Sequence, residues 1–319
     1  MKRCLILIFS LAAAAPQVLK AQSWPQRPVK VIVPFAAGGN SDTQARIISE
    51  RLSAVLGQQF IVENRAGAGG AIGAEFVTKS QADGYTLLFC PVVQISILPL
   101  VQKVNYDPMK DLAPISIVSA NPFILGIHIS VPAKTLKEFI DYVKAHPGQM
   151  NYASGGTGSV SHLAGALFVQ RAGLKMTHVP YKGGAPAVGD LVGGQVHMYF
   201  GNAAELIQHS KSGKLTLLGV SSEKRTPQFP DLPAIAEFYP GFNTITWNGY
   251  FAPAEISRQT VDRLAQEIAK IVKEPAVAEL FFKIGVDPLS STPAEFAAFI
   301  RSQAPLWREA VEVAGIRQQ

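Results

Sequence analysis

Short β-rich apolar runs alternate along this chain with helix-length amphipathic segments, and that alternation restricts it to α/β architecture with largely parallel strands. Strands are expected near 29–35, 59–63, 85–90, 115–119, 122–130, 149–153, 176–181, 196–200, 215–220 and 246–252. Helices are expected at 41–56, 135–145, 160–172, 202–211, 258–273 and 293–312; in the first, Ala45, Ile48, Leu52 and Val55 recur at helical spacing. The elements form two clusters, with PFILGIHIS (122–130) leading into the second and TITWNGYFAP (244–253) leading out. Two crossings permit a hinge. At 319 residues and 48% hydrophobic composition, two domains with substantial cores are expected and disorder is not.

The N-terminus reads MKRCLILIFSLAAAA: two positive charges, an apolar stretch and then small residues, the pattern of an export signal with cleavage near Ala21. Its apolar stretch is shorter than the roughly 20 residues that span a bilayer. Cleavage would remove Lys2, Arg3 and Lys20 and lower the formal charge from +6 to +3. The remaining basic residues are scattered, which gives a nucleic-acid partner little electrostatic support. Cys4 would leave with the signal, so Cys90 would stand alone at the end of YTLLFC, as a buried inert thiol in preference to a nucleophile.

Glycine is concentrated at strand-to-helix junctions: AAGGNSD, NRAGAGGAIG, SGGTGSVSH and YKGGAP each follow a strand. The first helical turn at such a corner offers unpaired N–H groups and the positive end of the helix dipole to an anion. Glycine lets that anion approach the backbone. The plainer reading of each corner is a turn and a cap, with Ser41 or Asp42 capping helix 41–56 and Ser159 or Ser161 capping helix 160–172. AAGGNSD lacks the Gly-Lys-Ser/Thr ending of a nucleotide loop, and GAGGAIG breaks GxGxxG at Ile72, so no nucleotide cofactor is expected. A carboxylate can be held by a few amides and a water.

Side chains at the corners are hydrogen-bonding ones: Asn40, Ser41, Ser154, Thr157, Ser159, His162, Tyr181, Lys182 and Asn202. For Trp247, on the return crossing, hinge packing and walling a cleft compete. Histidines 128, 146, 162, 178, 197 and 209 have no zinc-type spacing, so no metal is expected. The enzyme alternative is a secreted hydrolase in which Ser159 and His162 share a helical face, although GSVSH lacks the second glycine of a nucleophile elbow.

The stretch WPQRPVKVIVPFAAGGNSDTQARIISERLSAVLGQQFIVENRAGAGGAIGAEFVTKSQADGYTLLF resembles the opening of the Bug family, the periplasmic substrate-binding proteins of tripartite tricarboxylate transporters. NYASGGTGSVSHLAGALF, HVPYKGGAPAVGDLVGGQVHMYF, KLTLLGVSSEKRTPQFPDLPAIAEF and STPAEFAAFIRSQAPLW extend the resemblance over nearly all of the mature chain. It implies a two-lobed, Venus-flytrap fold of the periplasmic-binding-protein type. One lobe would comprise residues 22–123 and 248–319 and the other 124–247. It further implies a monomeric periplasmic receptor, not an enzyme, that closes on a small carboxylate-bearing solute and delivers it to a membrane permease or a signalling partner.

In the first lobe the implied contacts are Phe35, Ala37, Gly38, Gly39, Asn40 and Asp42, with Gly67 and Gly70. In the second they are Ser154, Gly155, Thr157, Ser159 and His162, then Tyr181, Lys182 and Gly183, with Asn202 at the strand end; Trp247 joins them only as the candidate wall of the cleft named above. Two departures stand out. The family often has an acidic residue before the asparagine of MYFGN, whereas this chain has Gly201, which favours a plain organic acid over an amino acid. PVVQISILP (91–99) is more apolar than usual, so Val92, Val93 or Ile95 would either reach the cleft and suit an apolar ligand body or pack locally.

Overall fold

The run VKVIV is apolar at four of five positions and buried at the same four, the pattern of an interior strand covered on both faces. The computed structural model describes residues 24–316; the export signal expected at 1–21 lies outside them. Strand β1 (Val29–Val33) pairs in parallel with β2 (Phe60–Asn64) on one side and β3 (Thr86–Pro91) on the other. Helix α1 (Asn40–Leu56) joins β1 to β2, and α2 (Ala71–Thr78) joins β2 to β3. The glycine corners after β1 and β2 therefore sit at one edge of one sheet. Ala45, Ile48 and Leu52 of α1 are fully buried against it, while Val55, expected in the same stripe, is 49% exposed at the helix end.

A π-helical turn (Val93–Ile97) and two short helices, α3 (Leu98–Val101) and α4 (Pro108–Asp111), lead to β4 (Leu112–Asn121). The chain then enters a second sheet through β5 (Ile124–His128). It continues as α5 (Leu136–Ala145), β6 (Met150–Ser154), α6 (Val160–Arg171), β7 (Met176–Pro180), α7 (Gly184–Val192), β8 (Met198–Gly201), α8 (Ala203–Lys211) and β9 (Leu215–Val220). It returns through β10 (Thr246–Pro253), followed by α9 (Arg258–Ile271), α10 (Pro275–Lys283), β11 (Asp287–Pro288) and α11 (Pro293–Val313). The first sheet has the order β11-β4-β10-β3-β1-β2 and the second β7-β6-β8-β5-β9.

Both sheets are mixed, a refinement of the largely parallel expectation. The β-α-β units are parallel, as β6 is with β7 and β8, whereas β10 runs antiparallel to β3 and β4, and β5 antiparallel to β8 and β9. The reason is the double crossing. The chain leaves the first sheet on β4 and comes back beside it on β10; it enters the second on β5 and departs beside it on β9. Outgoing and incoming strands are neighbours of opposite sense. The run 122–130, read as one strand, is broken at Pro122-Phe123, which forms the first crossing.

The two crossings are laced together by Ser221. Its amide donates to Phe123 O at 2.8 Å and its hydroxyl to Thr244 O at 3.0 Å, while the Phe123 amide donates to its hydroxyl at 2.8 Å. Ser221 is fully buried, so these bonds satisfy groups that water does not reach. Helix α11 packs on both β4 and α6, and an Arg171–Glu309 ion pair at 2.7 Å ties it to the end of α6. One continuous apolar core thereby runs from Ile32 and Leu88 in the first sheet to Leu125 and Phe139 in the second.

Candidate functional site

The corners expected to bind an anion lie at the carboxyl ends of parallel strands in both sheets. Those after β1 and β2 are knitted together. The Arg65 amide donates to Val33 O at 2.8 Å, and Asn64 Nδ2 donates to both Phe35 O at 3.0 Å and Asp42 Oδ1 at 2.9 Å. Gly73 allows the two corners to touch: a Cβ there would lie 2.8 Å from Arg65 O and 2.9 Å from the Pro34 Cα. In the second sheet the Gly183 amide donates to Gly155 O at 3.1 Å and the Tyr181 amide to Ser154 O at 3.0 Å, drawing the corners after β6 and β7 together.

Capping divides the glycine corners, because the one that starts α6 is capped by its own serine and the other three are not. Helices α5, α6, α9 and α11 are capped by the hydroxyls of Thr135, Ser159, Ser257 and Thr292. Helices α1, α2 and α7 instead begin after Gly39, Gly70 and Gly183 with no side-chain cap. The capping expected of Ser41 or Asp42 does not occur, because Ser41 donates to Asn248 Oδ1 at 2.7 Å and Asp42 turns back to accept the Gly38 amide at 2.9 Å. Helices α1, α2 and α7 thus leave their first-turn amides without a side-chain acceptor at glycine corners; α3 and α10, which also lack a side-chain cap, start elsewhere, after Ile97 and Glu274.

Asp42 is 3% exposed and also accepts from Arg46 Nε at 3.0 Å. Burial pushes its carboxyl up, but Arg46, the Gly38 amide and Asn64 outweigh that and hold it below the ordinary carboxylate value. It is an anchor of the first corner, a correction to its expected role as a ligand contact. Phe35 is half-buried, and Ala37, Gly39 and Asn40 are exposed at this corner. Beneath them Gln44 donates to Asn40 Oδ1 and accepts from the buried Ser119 hydroxyl at 2.6 Å. Gly67 is half-buried and Gly70 buried, with Gln94 Nε2 in the space a Gly70 side chain would need.

The apolar segment after β3 stands between the two sets of corners. Gln94 Nε2 donates to Gly69 O at 2.7 Å, and the Val101 methyls lie 3.9 Å from where a Gly158 Cβ would be. Val92 and Ile95 are buried and Val93 packs against the same core, so these residues pack locally and do not provide an apolar ligand surface.

In the second lobe Thr157 and Lys182 are exposed, and Gly155, Gly183 and Asn202 are half-buried. Tyr181 donates its hydroxyl to Asp190 at 2.6 Å; burial and that carboxylate push its pKa up to about 12. Ser154 is fully buried, 2.7 Å from His178 Nε2, and His178 stacks on His162 with ring centres 3.7 Å apart. Burial first, and then His178, lower the His162 pKa to about 4. A neutral His162 accepts the Gly158 amide on Nδ1 at 3.2 Å and shapes the loop from within.

The hydrolase alternative requires a Ser159–His162 imidazole bond, and among the described residues there is none. Ser159 donates to Gly156 O at 2.6 Å and caps the His162 amide. Trp247 is fully buried, with its ring 5.2 Å from that of Phe296 and 6.3 Å from that of Phe251, so it packs in the core between β10 and α11 and presents no surface to a ligand in this structure, a correction to its expected contact role. Cys90 is likewise buried, and desolvation raises its thiol pKa well above the ordinary value. A cavity of about 970 Å3 between α9 and the start of α11 is lined by residues such as Val261, Ala265 and Thr292 and includes none of the corners.

Position 201 is the largest surprise. A side chain there would meet the Tyr199 ring at 2.4 Å and Glu205 Oε2 at 3.2 Å. The carboxylate whose absence was inferred from Gly201 is supplied by Glu205, one helical turn later, which accepts the Asn202 amide at 3.0 Å. Sequence inspection also missed Asn64, Gln44, Ser119 and Asn248, whose importance arises from contacts between distant segments.

The sequence model of the tripartite tricarboxylate transporter family receptor matches residues 44–316. Protein BugT of Bordetella pertussis is 36% identical over 318 residues, covering 98% of this chain and 96% of BugT. Among solved structures, Rpa4515 of R. palustris with adipate superposes with a TM-score of 0.77 at 32% identity, covering 93% of this chain and 100% of that one. MatC of Rhodopseudomonas palustris with bound malate gives 0.72 at 31% identity, with coverages of 90% and 100%.

Proposed function

Because this chain belongs to the tripartite tricarboxylate transporter family of receptors, we propose that it captures a small carboxylate-bearing solute between its two lobes. The observation that carries this reading is the set of three uncapped helices, α1, α2 and α7, beginning at glycine corners drawn from both sheets. The adipate and malate in two relatives of like fold support the ligand class. The ligand contacts on this reading are Phe35, Ala37, Gly39, Asn40 and Gly67 from one lobe, and Thr157, Tyr181, Lys182, Gly183 and Asn202 from the other.

The lobes, 22–123 with 248–319 and 124–247, pivot on the Ser221 lacing and close when both sets of helix N-termini approach one anion. The chain is exported to the periplasm after cleavage near Ala21, acts as a monomer, and hands its cargo to a permease of the tripartite type or to a signalling partner. A thermal-shift panel of mono-, di- and tricarboxylates at millimolar concentration tests capture. A ligand at 100 times its dissociation constant adds about 2.7 kcal/mol, a rise of several degrees. Stabilisation by sugars or nucleotides alone would refute the proposal.

A further inference from the structure

Glu205 occupies a space that two glycines leave open. A Cβ on Gly184 would sit 2.4 Å from its Oε1, and one on Gly201 would sit 3.2 Å from its Oε2. Oε2 is committed, accepting the Asn202 amide at 3.0 Å with the Tyr199 hydroxyl 3.5 Å away. Oε1 has no hydrogen-bond partner among the described residues, and the side chain is half-buried against Gly184. Glu205 also takes part in none of the ion pairs of the described residues.

This carboxylate therefore lies between the start of α7 and the start of α8, both of them corners of the second lobe, with one oxygen spare. A second carboxylate placed against Oε1 would be repelled, whereas a hydroxyl or ammonium would be bound by a charge-assisted hydrogen bond. We propose that Glu205 is a selectivity residue: its Oε1 accepts a hydrogen bond from a donor group on the bound carboxylate solute, so that hydroxy or amino acids are preferred to plain diacids. The proposal rests on the solute-capture reading above. It reverses the inference from Gly201 alone, because the negative charge is retained at that place in the fold.

The test is calorimetric titration of the full chain with succinate, malate and aspartate, which share a skeleton and differ by one substituent, and with glutarate, 2-hydroxyglutarate and glutamate. In at least one series the donor-bearing acid should bind about tenfold or more tightly than the plain diacid, as expected for a hydrogen bond to a charged group. Glu205→Gln keeps an oxygen for the Asn202 amide, so its melting temperature without ligand should match that of the parent. In that variant the preference should fall to about threefold or less. Plain diacids binding as tightly as their hydroxylated and aminated partners, or a preference that survives in Glu205→Gln, would overturn the proposal. Failure of all six acids to bind while another carboxylate of the thermal-shift panel does would overturn this proposal alone; failure of the whole panel would overturn the capture reading and this one with it.

Discussion

Replacing Asp42 with asparagine should loosen the first corner by a calculable amount. Oδ2 receives the Gly38 amide and Arg46 Nε, and Oδ1 receives Asn64 Nδ2. An asparagine amide would set its own N–H2 against one of these donors. Asn64 has no free flip to accommodate it, since its Nδ2 also serves Phe35 O and its Oδ1 accepts from Arg46 Nη2 at 3.1 Å. One hydrogen bond to a charged group is lost, worth about 1.5–3 kcal/mol, whereas the half-exposed Arg46 adds little beyond it. A melting point lower by roughly 2–5 °C at pH 7 follows, and carboxylate affinity should fall with it as the Gly38 amide is released. The folded pKa of Asp42 is depressed, so its contribution is present above the unfolded value of about 3.9 and disappears as the pH falls through the folded one. Calorimetric scans of both proteins from pH 7 to pH 3 should therefore show the gap narrowing below about pH 4. A variant that melts with the parent at pH 7, or a gap of constant size at pH 3, would refute the assignment of Asp42 as the anchor.

Gly73→Ala should destabilise by about 1–3 kcal/mol, because the new methyl meets the backbone atoms of Arg65 and Pro34, which have no rotamer to give; denaturant melts that match the parent would show the two corners to be less tightly joined. His162 should stay neutral in the folded protein down to about pH 4, while in the unfolded chain it takes up a proton near 6.5. The unfolded state then binds more protons between these values, so stability is complete above about 6.5 and falls by about 3 kcal/mol as the pH drops to 4. An NMR titration placing the His162 imidazole near 6.5 in the folded state would contradict the burial and stacking described.

What could be read in advance was local. Helices α1, α5, α6, α9 and α11 lie within a residue or two of the expected bounds, because apolar spacing is written within each segment and, in all but α1, a hydroxyl cap as well. Helices α2 (AIGAEFVT) and α7 (GAPAVGDLV) are implied by the strand-to-helix corners before them, but their bounds are not legible, since glycine and proline in eight- and nine-residue segments resemble loop punctuation. Their helicity is sustained by packing on β3 and β8, which no local signal reports. Trp247 illustrates the same limit: the rings that enclose it include Phe296 and Phe299, some fifty positions downstream.

Position 201 carries the point further. Compared residue by residue, Gly201 is a lost charge, and the ligand inferred from it is a plain acid. In three dimensions the first turn of α8 folds the Glu205 carboxylate back over the glycine, and the Tyr199 ring fills the space that a side chain there would need. On the Glu205 proposal, selectivity follows from where a carboxylate sits relative to the corner amides. A substitution that removes an acid at one position of the motif alters the ligand only if no neighbouring turn restores it.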